Sequence, residues 1–290
     1  MKINYSTVAN EKLASYRYRI KIPSEYLIQQ GYEVSIGKPE RADIGVFSKH
    51  FNARDYEVAR QSTRYSRVIF DVCDYHLDGP YSDHYQRMIY LADKVTAATQ
   101  EMANCIEEET GVKAEVIPDP YEFEEKEPEF IDGTALLWFG HASNIAPLKF
   151  EIEDGNLGNH WLKVISNPNE LMPVVPWSME ATIKGLNECD VVIIPQEDTK
   201  QNRCKGANRM VESIRSGRFV VANKMPAYEQ FSEWMWLGDI QEGLAWTKQN
   251  SSEVTDRIKA AQKYVRETFS PDKVGSLWES ALTSGVATSV

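Results

Sequence analysis

Cysteine and histidine are scarce in this sequence, and their spacing suits neither disulfides nor metal. Its four cysteines in 290 residues are Cys73, Cys105, Cys189 and Cys204, with no C-x-x-C pair. That excludes a disulfide framework and a zinc knuckle. The five histidines, His50, His76, His84, His141 and His160, show no H-E-x-x-H or comparable spacing, so no metal site is expected. No apolar run approaches the ~20 residues of a membrane span. Residues 1–10 lack the basic start and apolar core of a signal peptide, so a cytoplasmic location with reduced thiols is expected. Basic charge is also short: 32 Lys and Arg face 43 Asp and Glu, a net charge of −11, which argues against a general nucleic-acid binder. Internal repeats and low-complexity stretches are absent as well.

What is present is an ordinary globular composition, 42% hydrophobic and 26% charged, in a chain long enough for two domains. Short apolar strands alternate with helices. Strands are predicted at 1–5, 32–36, 43–47, 68–72, 94–98, 136–140, 162–166, 174–177, 190–194 and 219–222. Helices are predicted to start at Pro23 and to cover 55–65, 82–92, 99–110, 179–186, 252–269 and 271–282. This alternation implies an α/β fold with parallel sheets. Between the two series, residues 122–133 hold six Glu or Asp, one proline and little apolar content. That stretch predicts a solvated, mobile linker, with one domain over 1–121 and a second over 134–270.

The most informative stretch is 205–222. Met210, Val211 and Ile214 mark one helical face, Gly217 a stop, and Phe219 to Ala222 a buried strand. A strand, a polar loop and a helix start make the usual geometry for a phosphate, because free N–H groups and the helix dipole point into the loop. Lys205, Asn208 and Arg209 add donors and charge there. Glu212, one turn deeper, is placed to accept hydrogen bonds from vicinal hydroxyls such as those of a ribose. Elsewhere, Asp71 and Asp74 end a strong strand, where open parallel sheets bind ligands, and Asp74, Tyr75 or His76 is a candidate there. Gly140 follows the first strand of the second series, allowing a backbone to approach a phosphate or sugar, with His141 and Asn144 beside it.

The pattern Lys205-x-x-Asn208-Arg209-x-x-Glu212-Ser213-x-x-x-Gly217-x-x-Val220-Val221-Ala222 resembles the donor-site signature of GT-B glycosyltransferases, in the broad group related to glycosyltransferase family 4. The resemblance implies two Rossmann-like domains facing across a cleft, with a final helix over 271–287 packing back on the first domain. It implies that Lys205 and Arg209 bind the diphosphate of a UDP or GDP sugar and stabilise the departing nucleotide. Asn208, Glu212 and Ser213 complete the donor contacts, Glu212 on the ribose. It further implies that Gly140, His141 and Asn144 face the donor, that Trp177 packs near the base, and that Arg17 and Arg19 line the acceptor side. Asp74 or His76 would supply any base.

The expected activity is hexosyl or pentosyl transfer to a hydroxyl, probed by no Asp-x-Asp motif of the metal-dependent GT-A kind and therefore metal-independent. It is expected to retain anomeric configuration and to use the nucleotide sugar as co-substrate, with no other cofactor. The acceptor stays open among saccharide, lipid, protein and nucleobase. So do three alternatives: a nucleotide-sugar epimerase, a DNA-base glycosyltransferase, and a catalytically silent binding protein. The last is suggested by Cys204, which stands eight residues before Glu212 where retaining members often carry a second glutamate.

Overall fold

The computed structural model describes residues 1–50 and 52–284 of the chain, which divides into two compact units. The first unit takes in Met1–Pro120, Arg203–Gly206 and the chain from Phe269 on; the second takes in Tyr121–Asn202 and Ala207–Thr268. Among the described residues, no helix is long and apolar enough to cross a membrane.

In the first unit, six strands form one sheet: β1 (Lys2–Thr7), β2 (Glu33–Gly37), β3 (Ile44–Ser48), β4 (Arg67–Val72), β5 (Lys94–Ala97) and β6 (Ala114–Val116). Their order is β2-β1-β3-β4-β5-β6, every pairing parallel. Helices cover both faces, so alternate residues of one strand enter different cores. Val68, Phe70 and Val72 of β4 join one cluster, with Met88, Ile89 and Ile106. Ile69, between them, joins the other, with Ile3, Ile44, Leu27 and Trp278. Trp278 comes from helix Pro271–Thr283, so the last described helix is part of this core. Positions 285–287 of the expected helix lie outside the described residues.

Because Asp71 follows Ile69 at the two-residue period, its carboxylate points into that second core. Arg19 meets it there. The Arg19 guanidinium is 0% exposed; its Nη2 lies 2.6 Å from Asp71 Oδ1, its Nε 3.3 Å from Oδ2 and its Nη1 3.2 Å from Asp119. Nη1 also donates to the carbonyl of Ile117. Ser48 and Thr96 donate to Asp71 at 3.1 and 2.8 Å, and the guanidinium stacks 5.0 Å over Trp278. Burial works against the Arg19 charge, but Asp71 and Asp119 outweigh it and keep it protonated. This corrects the expectation that Arg19 lines an acceptor surface: it is a buried tie between β4 and the helix carrying it.

That helix also differs from its prediction. It begins at Ala14–Tyr16, passes through a π-helical stretch Arg17–Lys21 in which the N–H of Ile22 donates to the Arg17 carbonyl, and continues over Ile22–Gln29. Pro23 is therefore inside a running helix, not at its start. The widened turn accommodates a ring that brings no N–H.

The second unit repeats the architecture with β7 (Ala135–Phe139), β8 (Trp161–Ser166), β9 (Val175–Pro176), β10 (Val191–Ile194), β11 (Phe219–Ala222) and β12 (Trp236–Leu237). The order is β12-β11-β10-β7-β8-β9, again all parallel. The central strands β10 and β11 are buried at every residue, which is why they read as unbroken apolar runs. The strand order reverses between β7 and β10, the place where sheets of this kind hold ligands.

The stretch 122–133, predicted as a mobile linker, is fastened to this unit. The N–H of Lys126 donates to Arg215 O, that of Glu129 to Gly217 O, and that of Ile131 to Asp190. Gln262 reaches across to the carbonyls of Lys126 and Ile214 at 2.8 and 3.0 Å. The acidic side chains are mostly solvated, as composition implies, but the backbone is bonded along its length.

Two stability outcomes follow from these contacts. Asp71→Asn leaves the buried Arg19 charge with Asp119 alone and should cost about 3–5 kcal/mol in chemical denaturation, with Arg19→Met plus Asp71→Asn recovering part of it. Gly217 has φ of +72° and a β-carbon there would lie 2.5 Å from the Glu127 carbonyl oxygen. Gly217→Ala should therefore destabilise by about 1–3 kcal/mol in the same measurement.

Candidate functional site

In the second unit, β7 runs into Gly140 and β10 into the loop that holds Gln196. Helix Asn208–Arg215 then precedes β11. Its N-cap is Ala207, with no side chain capping it. The first-turn N–H groups of a helix have no intrahelical acceptor, so an uncapped start is attractive to an anion. Arg209, in that first turn, lies with its guanidinium carbon 5.7 Å over the Trp138 ring. Its Nη1 is buried and has no hydrogen-bond partner among the described residues.

Gly140 lies beside the guanidinium. A β-carbon there would meet Trp138 at 3.2 Å and Arg209 Nη1 at 3.6 Å. Near it, the Tyr228 hydroxyl donates to Gln196 Oε1 at 2.7 Å and feels the Arg209 charge. Burial raises the Tyr228 phenol above its ordinary range, with Arg209 opposing, so it stays protonated at neutral pH. Tyr228 and Gln196 carry no local sequence signal for this role; only the sheet's switch point, once known, marks Gln196.

The remaining candidates divide. Asn208 and Lys205 are half-buried. Lys205 belongs to the segment Arg203–Gly206 that groups with the first unit, where Thr99 donates to the Cys204 carbonyl at 2.9 Å and Arg203 pairs with Glu101 at 3.0 Å. His141 is exposed, and its Nδ1 caps the turn Ala142–Asn144 through Ser143; the Asn144 N–H donates to the His141 carbonyl. Trp177 is half-buried and follows the edge strand β9.

Two placements are corrections. Glu212 is 2% exposed, and its carboxylate accepts the backbone N–H groups of Glu122 and Phe123 at 2.7 and 3.1 Å. It is turned inward onto the 122–133 stretch, not outward to a pentose. Ser213 is fully buried, and its hydroxyl donates to the Arg209 carbonyl at 2.6 Å. That bond closes within the helix and uses the one donor of a hydroxyl that is itself out of reach of solvent.

In the first unit, Asp74 follows β4 and pairs with the Lys49 ammonium. Burial works to raise the Asp74 carboxyl, but Lys49 outweighs it and holds the carboxyl below its ordinary range. The Cys73 thiol donates to the same carboxylate at 3.6 Å, and burial pushes that thiol well up. Lys49, which sequence reasoning missed, is the one non-glycine residue with positive φ among the described residues, at 60°. Backbone strain of this kind concentrates at functional sites. His76 is half-buried between Tyr81 and Tyr85, at ring distances of 5.5 and 5.0 Å. Burial lowers its pKa below 6.5 despite Asp74, so the ring is neutral at pH 7. Arg17 is half-buried, and its Nη1 donates to the Glu11 carbonyl at 2.9 Å.

No protein-family model matches the sequence, and no curated protein matches it. Solved structures do. HepE from Anabaena, in complex with UDP, has a TM-score of 0.72 at 11% identity, covering 98% of this chain and 100% of that one. An α-glucosyltransferase in complex with UDP and a 13-mer DNA containing an HMU base has a TM-score of 0.72 at 8% identity, covering 98% and 99%. Sucrose-phosphate synthase from Thermosynechococcus elongatus has 0.70 at 6%, covering 96% and 98%. At these identities the likeness is one of fold: the chain has the α/β fold of the GT-B glycosyltransferases, two doubly wound parallel sheets in succession.

Proposed function

We propose that this protein is a glycosyltransferase that takes a sugar from a UDP-sugar, with the diphosphate held by the second unit at Arg209. The observation that carries the reading is the buried, unpartnered Nη1 of Arg209 beside Gly140, at an uncapped helix start on the switch point of the sheet. A buried charged donor left without an acceptor costs about 1–3 kcal/mol or more, and a phosphate oxygen removes that cost. UDP is the nucleotide bound in two of the similar structures.

In the transfer, the acceptor oxygen bonds to the anomeric carbon as the bond from that carbon to the β-phosphate oxygen breaks, and UDP leaves with the electron pair. Arg209 and the helix dipole stabilise the negative charge growing on UDP, with Lys205 as a further cation, so we propose turnover without a divalent metal. The hydroxyl proton goes to a base. We assign that role to His76, neutral at pH 7, with Asp74 held ionised by Lys49 beside it. The donor-site resemblance favours retention of configuration, and cysteines that form no disulfide suit a cytoplasmic enzyme.

A nucleobase acceptor is the second reading for the hydroxyl, favoured by the likeness to the α-glucosyltransferase in complex with HMU-containing DNA and opposed by the net charge of −11. Turnover of UDP-glucose in EDTA, offered saccharides or HMU-containing DNA, with the product anomer read by NMR, tests the activity and separates the acceptors.

Arg209→Ala should weaken UDP binding by about tenfold or more in a calorimetric titration; unchanged affinity would count against the assignment. Rate should depend on pH with a definite sign. Because the His76 pKa is lowered, kcat/KM should fall as pH drops through a value below 6.5 and stay level above it. His76→Gln should lower the rate and abolish that acid limb.

A further inference from the structure

A groove of about 650 Å³ opens on the second unit at its β12 edge, lined by Lys224, Glu229, Ser232, Trp236, Trp246 and Arg257. It lies at the far end of the strand order from β9, three places from β7 and the Arg209 loop. Its aromatic floor is rigidly held. The Trp236 indole N–H donates to the Asp239 carbonyl at 2.9 Å. Beneath that ring is Gly243, where a β-carbon would lie 2.5 Å from both Trp236 and Val221, so only glycine lets the indole sit so close. Trp246 is held as well: Phe219 stacks on it at 5.6 Å and 18°, and the Arg257 guanidinium carbon lies 4.4 Å from the ring centroid. Arg257 is steadied by Glu253 at 3.5 Å and by the Glu233 carbonyl at 3.4 Å.

The rim is different in kind. Lys224, Glu229 and Ser232 are exposed, and their side chains form no hydrogen bond or ion pair among the described residues. They offer donors and acceptors of both signs within one groove. A phosphate would gain Lys224 and Arg257 but be repelled by Glu229, and an acyl chain would have to strip water from all three charges. A ring of vicinal hydroxyls has no such conflict: each hydroxyl both donates and accepts, and the C–H face of a pyranose packs on an indole without losing hydrogen bonds.

We propose that this groove binds a pyranose unit of a glycan, separately from the diphosphate site at Arg209. The assignment rests on the groove's own side chains and does not require that the protein transfer a sugar. If it does, the groove retains the acceptor or product chain while the reducing or growing end is elsewhere.

The intact protein is titrated with maltotriose, chitotriose and the methyl pyranosides of glucose, galactose and mannose, up to about 10 mM. The readout is the indole N–H signals of Trp236 and Trp246 in NMR, assigned with Trp236→Phe and Trp246→Phe. At least one probe should shift these signals saturably. Lys224→Ala plus Glu229→Ala, on exposed side chains outside the core, should weaken that response about tenfold while UDP affinity stays unchanged. No shift with any probe, or a shift equally strong in the double variant, overturns the proposal. UDP shifting these two signals in place of the sugars also overturns it. A protein that binds maltotriose here but not UDP would sink the donor reading and leave this one standing.

Discussion

The carboxylate of Glu212 sets the position of everything near the Arg209 site. It accepts two consecutive backbone N–H groups, of Glu122 and Phe123, so the chain entering the second unit is pinned against helix Asn208–Arg215. Arg215 extends the same seam: its guanidinium stacks 4.0 Å over Tyr121 and pairs with Glu125, which also pairs with Arg266. Gln262 closes it from helix Ser251–Phe269. A short helix of eight residues has little stability of its own. Held from Glu212 to Arg215 by this seam, it can leave its start uncapped and keep Arg209 with an unspent donor.

The first unit solves a related problem with a fully enclosed pair. Asp71 and Arg19 bring the end of β4 and the helix after β1 together in a core that also contains Trp278. Such a pair adds little net stability over apolar packing, but it punishes any arrangement that parts the charges. The neighbouring loops after β3 and β4, with Lys49 in its left-handed conformation and Asp74 beside it, are thereby set on a fixed base.

Most of the fold was legible in the sequence because both sheets are parallel and covered on both faces. Their strands are continuous apolar runs such as Val191–Ile194 and Phe219–Ala222, and the caps are local: Thr99 accepts from Met102, and Gly111 ends that helix with φ of 73°. What escaped depends on partners far away in the chain. Glu212 reads as the polar face of an amphipathic helix, but residues 122–133, about 90 positions earlier, cover that face and bury it. The same covering turned an apparently free acidic linker into a bonded strap. Pro23 reads as a helix start because nothing local announces the π stretch before it. Lys49 stands in a loop and Tyr228 in the short 3-10 helix Pro226–Phe231, neither long enough to show periodicity, so their approach to Asp74 and Arg209 follows only from the sheet order.

The core of the first unit draws on both ends of the chain, and this has a consequence for synthesis. Ile3, Ile20 and Leu27 are made before the second unit, while Val274, Trp278 and Leu282, which cover them, are made only after it. A nascent chain that has reached Pro120 has every strand of its first sheet but a bare apolar flank. That flank stays open to chaperones or to premature association until helix Pro271–Thr283 leaves the ribosome. For the same reason a fragment ending at Pro120 would be an unfinished domain, and an autonomous first unit would need the last helix spliced back onto it.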